Sequence, residues 1–239
     1  MRYFATFAVL ILGLNSTPAA GPAGSDWPSY GHDPGGQRFS PLDKINRANV
    51  ASLKVAWIFR TGDAYQPPRG RPTAFESTPL YIDGVLYLTT PLGRVVALDP
   101  VTGKEKWSYD SKVPRDMGYG DFANRGVSAW TGSKTGLKLF LATIDAHLIS
   151  IEAVSGKTTQ GFGDNGIVNL RAGLRIPVPE NRFADYEETS PPEVVGDTVI
   201  LGSGIADNNR VDEPSGEVRG YDAATGQLTV DLGPDATAS

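Results

Sequence analysis

The sequence predicts an all-β fold, a partial β-propeller of about three to four blades, and three observations carry that reading. The first is composition: 28 glycines and 18 prolines make up nearly a fifth of the 239 residues, which favours turns over long helices. The second is a series of short β-branched and aromatic runs separated by Asp-Gly or Gly-Asp turns, a hairpin pattern. The third is repetition. One unit recurs three times, and a single blade cannot cover both of its own faces, so neighbours stack to make the core. A β-sandwich also spaces its turns regularly. The turn shared by all three units favours blades.

The elements follow in chain order. Arg2 precedes an apolar run from Tyr3 to Leu14 and a small, turn-prone stretch from Asn15 to Gly24, the layout of a secretory signal. We assign it to residues 1–20, with cleavage after Ala19, Ala20 or Ala23 equally open. A transmembrane helix needs about 20 apolar residues. This run is shorter and no other stretch fits, so the mature chain is expected to be periplasmic or secreted, with no transmembrane helix. Residues 21–239 then hold the propeller portion. Lys54–Arg60 reads as the outer strand of a blade begun elsewhere.

The first unit runs from Thr78 to Lys104, the second from Gly126 to Lys157, and the third from Ser190 to Gln227. Each reads strand, tight turn, strand, short loop, strand, acidic residue, then Thr-Gly or Ser-Gly into a last strand. The closing glycines are 103, 156 and 226, so the spacings are 53 and 70, and the second gap holds an insertion, mostly residues 161–188. Gln227–Val230 is expected as the last strand. The tail after it, Asp231–Ser239, reads as a truncation or a shifted frame.

Several function classes drop out. With 27 acidic and 22 basic residues the net charge is −5, so there is no basic footprint for nucleic acid. The absence of cysteine excludes disulfides, thiolate metal sites, a cysteine nucleophile and a lipidated N-terminal cysteine. His32 and His147 show no metal-ligand spacing and read as structural. Gly161–Gly166 is glycine-rich but has no following helix signal or Lys-Ser/Thr, so it reads as a loop and not a phosphate cradle. No Gly-x-Ser-x-Gly nucleophile elbow occurs.

Asp26-Trp27-Pro28-Ser29-Tyr30-Gly31, Arg38–Leu42 with Ile45-Asn46, Trp57–Gly62 and Glu76–Leu80 together resemble the start of the quinoprotein dehydrogenases, which carry pyrroloquinoline quinone (PQQ) on an eight-bladed propeller. Thr189-Ser190-Pro191-Pro192 and Glu213–Asp222 are most similar to the periplasmic domain of the membrane-bound glucose dehydrogenases. The likeness covers residues 26–228 and about the first half of that family's catalytic domain. It implies oxidation of a sugar or alcohol hydroxyl, with hydride passing to PQQ beside Ca²⁺ (or Mg²⁺) and electrons passing on to a quinone or cytochrome. The missing adjacent cysteine pair fits the glucose branch, although that branch also bears membrane helices.

PQQ presents three carboxylates, and a guanidinium fork suits a carboxylate. The resemblance assigns Arg125, just ahead of the second unit's inner strand, to the cofactor, with Glu76, Thr189 and Ser190 in equivalent places. Gly204 and Ala206 let the backbone approach the cofactor closely, and Asp207 with Asn208 match the family's metal ligands. On residues alone, Thr189 and Ser190 also read as turn chemistry and Asp207-Asn208 as an Asx-rich loop. The catalytic base is unknown here: the family's aspartate lies downstream of everything matched, so this chain alone is expected to be inactive. Trp57 and Trp107 are expected to dock between blades, with Gln160 and Val230 leaving that docking incomplete in the matching places. The alternative function is a non-catalytic exported propeller scaffold with the same repeats. Arg125 together with Asp207 favours the enzyme.

Overall fold

The computed structural model describes residues 26–33, 35–132, 136–206 and 212–233. Strands β1–β5 span Ala74–Phe75, Leu80–Ile82, Val85–Thr89, Arg94–Leu98 and Glu105–Asp110. Strands β6–β10 span Ala123–Asn124, Ser128–Gly132, Gly136–Thr143, His147–Glu152 and Ile167–Asn169. Strands β11–β16 span Tyr186–Glu187, Glu193–Val195, Thr198–Gly202, Gly204–Ile205, Val218–Asp222 and Leu228–Leu232. Two short 3₁₀ turns, Val50–Ser52 and Glu180–Asp185, complete the elements.

Three four-stranded antiparallel sheets result, ordered β2-β3-β4-β5, β7-β8-β9-β10 and β12-β13-β15-β16. These are blades 1, 2 and 3. Local chemistry builds them. Asp83 and Gly84 both take positive φ (49° and 74°), the left-handed pair that lets a two-residue turn follow the strand twist. The acidic residue caps its turn in blades 1 and 3: Asp99 Oδ1 accepts from the Val101 and Thr102 amides and the Thr102 hydroxyl, and Asp222 Oδ1 does the same with Ala224 and Thr225, while Glu152 of blade 2 accepts the Ser155 hydroxyl.

Stacking settles the choice between blades and a sandwich. Along β4, Val95 and Ala97 join a core with Leu139, Leu141, Ile149 and Ile151 of blade 2, while Val96 and Leu98 turn away to Leu88, Trp57 and Phe59. On the other face of blade 2, Phe140, Ala142 and Leu148 pack with Val199, Leu201 and Tyr221 of blade 3. Blade 2 is therefore covered on both faces, which explains its nearly continuous apolar strands. A two-sheet sandwich would leave one face wet.

The repeat's closing glycine receives the neighbouring aromatic. Gly156 has φ +70°, and a Cβ there would sit 2.6 Å from the Trp107 ring, whose Nε1 donates to Ala153 O at 3.0 Å. Trp57 covers Gly103 in the same way and donates to Pro100 O at 3.0 Å. At Gly226 the place belongs to Phe162 and to Val168 of β10, so the position expected to be left open by Gln160 is filled by the outer strand of blade 2 and the loop before it.

Three expectations change. Lys54–Arg60 packs Trp57 and Phe59 inward and leaves Val55 and Ile58 exposed, but it has no ladder partner among the described residues and forms no strand. The outer strand of blade 2 is β10, displaced past Gly161–Gly166. That loop spends its Gly163 and Gly166 amides on Thr225 O and Phe162 O, at 2.8 Å each. The last strand runs on through Asp231 and Leu232. The leader, Asp207, Asn208 and the tail from Pro234 to Ser239 lie outside the described residues. Among the described residues no helix is long and apolar enough to cross a membrane.

Candidate functional site

Each blade is reached by a lead-in segment, and the three segments run side by side. Thr78 N donates to Arg125 O (3.0 Å) and Arg125 N donates to Thr189 O (2.9 Å). β1 pairs in parallel with β6 just upstream. Backbone links between the starts of successive sheets are what radially placed blades give, with their first strands innermost.

This geometry gathers Glu76, Arg125 and Thr189, which are far apart in sequence. Arg125 Nη2 lies 2.9 Å from Glu76 Oε2 and 2.6 Å from Asp121 Oδ2, while Nη1 donates to Thr189 Oγ1 at 2.6 Å. The Asp121 hydrogen bond is the main influence holding the guanidinium above its ordinary pKa. The cluster is anchored beneath. Asn124 is buried, donates from Nδ2 to Ala142 O at 2.8 Å, and accepts from Gly126 N at 3.1 Å. Gly126 sits at φ +145° with Thr78 O 3.2 Å from where a Cβ would be. Only glycine lets the lead-in segments approach this closely.

The other assigned residues lie along the next segment. Ser190 is exposed and lines a cleft of about 210 Å³ with Glu188, Pro191 and Gly202. Gly204 pairs with Glu187 in the β11–β14 ladder, and Ala206 N donates to Asp185 O at 3.1 Å. Among the described residues the side-chain hydrogen bonds and ion pairs of Arg125 go to Glu76, Asp121 and Thr189, and none goes to Ser190, Gly204 or Ala206. Asp207 and Asn208 follow Ala206 but lie outside the described residues. Among those described, no group of three or more His, Asp or Glu side chains is arranged to hold a metal.

The two histidines do structural work. His147 Nδ1 lies 3.3 Å from Asp145 Oδ2, and the His32 ring packs at 4.7 Å on Trp27.

Three acids were missed in the sequence reading: Asp121, Glu187 and Glu188. Asp121 stands four residues before Arg125, a spacing that carries no signal outside a helix. Glu187 and Glu188 are 8% and 1% exposed. Burial pushes Glu187 up to about 7 against hydrogen bonds from the Gly120 and Asp121 amides, and pushes Glu188 up to about 8 against one from Ser203.

The donor set fits a polycarboxylate cofactor. Arg125 keeps a third of its side chain open to solvent. Thr189 Oγ1 accepts from Arg125, so its own proton is free to donate outward to a carboxylate. Glu76 and Asp121 both hold Nη2, which leaves the second Nη1 hydrogen and Nε–H of Arg125 for a carboxylate.

A sequence profile described as the PQQ-type glucose/ethanol/alcohol dehydrogenase β-propeller domain matches residues 27–232. The chain is 38% identical over 238 residues to the quinoprotein glucose dehydrogenase of Escherichia coli K12, covering 94% of this chain and 29% of that protein. It is 34% identical over 216 residues to the glycerol dehydrogenase large subunit of Gluconobacter oxydans, covering 88% and 28%. Among solved structures, quinohemoprotein alcohol dehydrogenase from Comamonas testosteroni superposes with a TM-score of 0.70 at 30% identity, over 87% of this chain and 27% of that one. The chain thus spans under a third of the length of these relatives.

Proposed function

Because the chain belongs to the glucose/ethanol/alcohol dehydrogenase β-propeller family, we propose that it builds the carboxylate-anchoring wall of a PQQ site in a dehydrogenase for a sugar or alcohol hydroxyl. The observation that carries this reading is Arg125, set by Glu76, Asp121 and Thr189 where three blades converge. PQQ, if bound there, would supply an electrophilic carbonyl for hydride from the substrate C–H.

In this reading Arg125 binds a cofactor carboxylate through the guanidinium hydrogens that Glu76, Asp121 and Thr189 leave open, Thr189 and Ser190 donate hydroxyl hydrogen bonds to it, and Glu76 keeps the guanidinium oriented. Gly204 and Ala206 bring the backbone close. Asp207 and Asn208 offer an acid and an amide oxygen to Ca²⁺ (or Mg²⁺), a hard cation that takes oxygen ligands. No residue of this chain is assigned as the base. Transfer of the electrons to a quinone or cytochrome and a periplasmic location complete the proposal.

The test is the visible and near-ultraviolet spectrum of PQQ titrated onto the chain with Ca²⁺, using Arg125→Ala beside it. Loss of a charged hydrogen bond weakens binding by about 10- to 100-fold. A chain that retains no PQQ, or an Arg125→Ala variant that binds as well as the parent, overturns the assignment.

A further inference from the structure

Glu187 and Glu188 are consecutive in one extended segment, so their side chains leave it on opposite sides. Glu187 Oε1 accepts from Gly120 N at 2.8 Å and its carboxylate also takes the Asp121 amide, so Glu187 fixes the turn from which Asp121 reaches Arg125. Glu188 accepts the Ser203 hydroxyl and so holds the start of the segment that leads through Gly204 and Ala206. The backbone between them joins the same two places. β11 pairs with β14, Tyr186 to Ile205 and Glu187 to Gly204, and Thr189 O accepts from Arg125 N.

We propose that Glu187 and Glu188 are positioning residues, a two-sided latch that ties the Arg125–Asp121 cluster to the Gly202–Ala206 segment. The proposal rests on the reading of Arg125 as a cofactor anchor only for its ligand-coupling consequence. The latch itself rests on the contacts above.

Two buried acids are costly unless each has a purpose or a partner. Burial favours their neutral forms, and the surroundings differ on the two sides. Asp121, Arg171 and Tyr119 interact electrostatically with Glu187, and Tyr186 and Tyr221 with Glu188. Glu188 is therefore held mainly protonated at neutral pH, which permits a carboxyl at 1% exposure to bond a hydroxyl without a counter-cation. An apolar side chain would fill the same volume and hold nothing on the far side.

Amide hydrogen exchange on the full chain, without ligand, tests the latch. Glu188→Ala is expected to speed exchange of peptides over 202–206 by about 10-fold and leave those over 118–121 within 2-fold, and Glu187→Ala to do the reverse. Glu188→Gln, which keeps a carbonyl oxygen for Ser203, is expected to restore protection, and Ser203→Ala to reproduce Glu188→Ala from the other partner. Because Ser203→Ala and Glu188→Gln do not delete the buried acid's volume, they decide the matter even if Glu188→Ala does not fold. Unchanged exchange over 202–206 in Ser203→Ala, or Glu188→Gln behaving like Glu188→Ala, overturns the proposal.

A second arm measures PQQ affinity with and without Ca²⁺. In Glu188→Ala the Ca²⁺-induced gain in affinity is expected to fall at least about 5-fold while the Ca²⁺-free affinity stays within 2-fold. A full Ca²⁺ gain in that variant overturns the coupling. If the parent chain binds no PQQ while the exchange pattern follows expectation, the cofactor reading fails and the latch stands.

Discussion

Replacing Gly156 by alanine asks whether an indole seated on a turn locks one blade to the next. Gly156 lies at φ +70°, and the added Cβ would stand 2.6 Å from two carbons of the Trp107 ring. Two costs follow. A left-handed conformation costs an L-residue about 1–2 kcal/mol, and overpacking costs about 1–3 kcal/mol more. The ring cannot slide away freely, because Trp107 Nε1 is tied to Ala153 O at 3.0 Å. Gly196→Ala is the control: φ there is +59°, and an added Cβ meets nothing within 4 Å, so only the first cost applies. Urea unfolding of the two variants in parallel therefore isolates the docking, with Gly156→Ala expected to lose about 1–3 kcal/mol beyond Gly196→Ala. Trp107 should also become more exposed, shifting tryptophan emission to the red in Gly156→Ala alone. Equal destabilisation of the two variants would refute the docking account.

Two further outcomes follow from buried charge. Arg219 is 2% exposed and bonds Glu217, Ala172 O and Gly173 O, clamping the insertion onto blade 3. Burial alone would raise Glu217, but the Ser215 hydroxyl, the Arg175 amide and the Arg219 charge hold it below its ordinary value. Arg219→Met leaves that carboxylate without its main cation, so thermal melts are expected to show a loss of about 3–5 kcal/mol; a change under about 1 kcal/mol contradicts the clamp. The pH effect at Glu188 has the opposite sign to a salt-bridged acid. Its folded-state value, about 8, exceeds the ordinary 4.5, so the native state binds the proton more tightly. Stability from this group is full below about pH 4.5, declines as pH rises through about 8, and then levels off. Glu188→Gln should flatten that decline in denaturation midpoints taken at pH 5, 7 and 9, and an unchanged slope contradicts the assignment.

The sequence by itself determined what is local. Asp83-Gly84 sets a hairpin because two consecutive residues must take positive φ, and Asp99 or Asp222 caps a turn within three residues of itself. The apolar runs of β4, β8 and β9 already say that both sheet faces are buried, so repeated blades were legible. Tertiary structure alone decided what depends on distant partners. Lys54–Arg60 has the alternation of a strand, yet strand formation needs a ladder partner, and none is supplied among the described residues. Phe162 and Val168 take the docking place at Gly226 because the outer strand of blade 2 pairs only after the Gly161–Gly166 loop, which no spacing rule anticipates. Glu76, Arg125 and Thr189 could be singled out one by one, but their meeting, and the part played by Asp121, Glu187 and Glu188, follows only from three lead-in segments lying side by side. An acid's role depends on whether it faces water or a backbone amide. That is fixed by packing, and linear order does not record it.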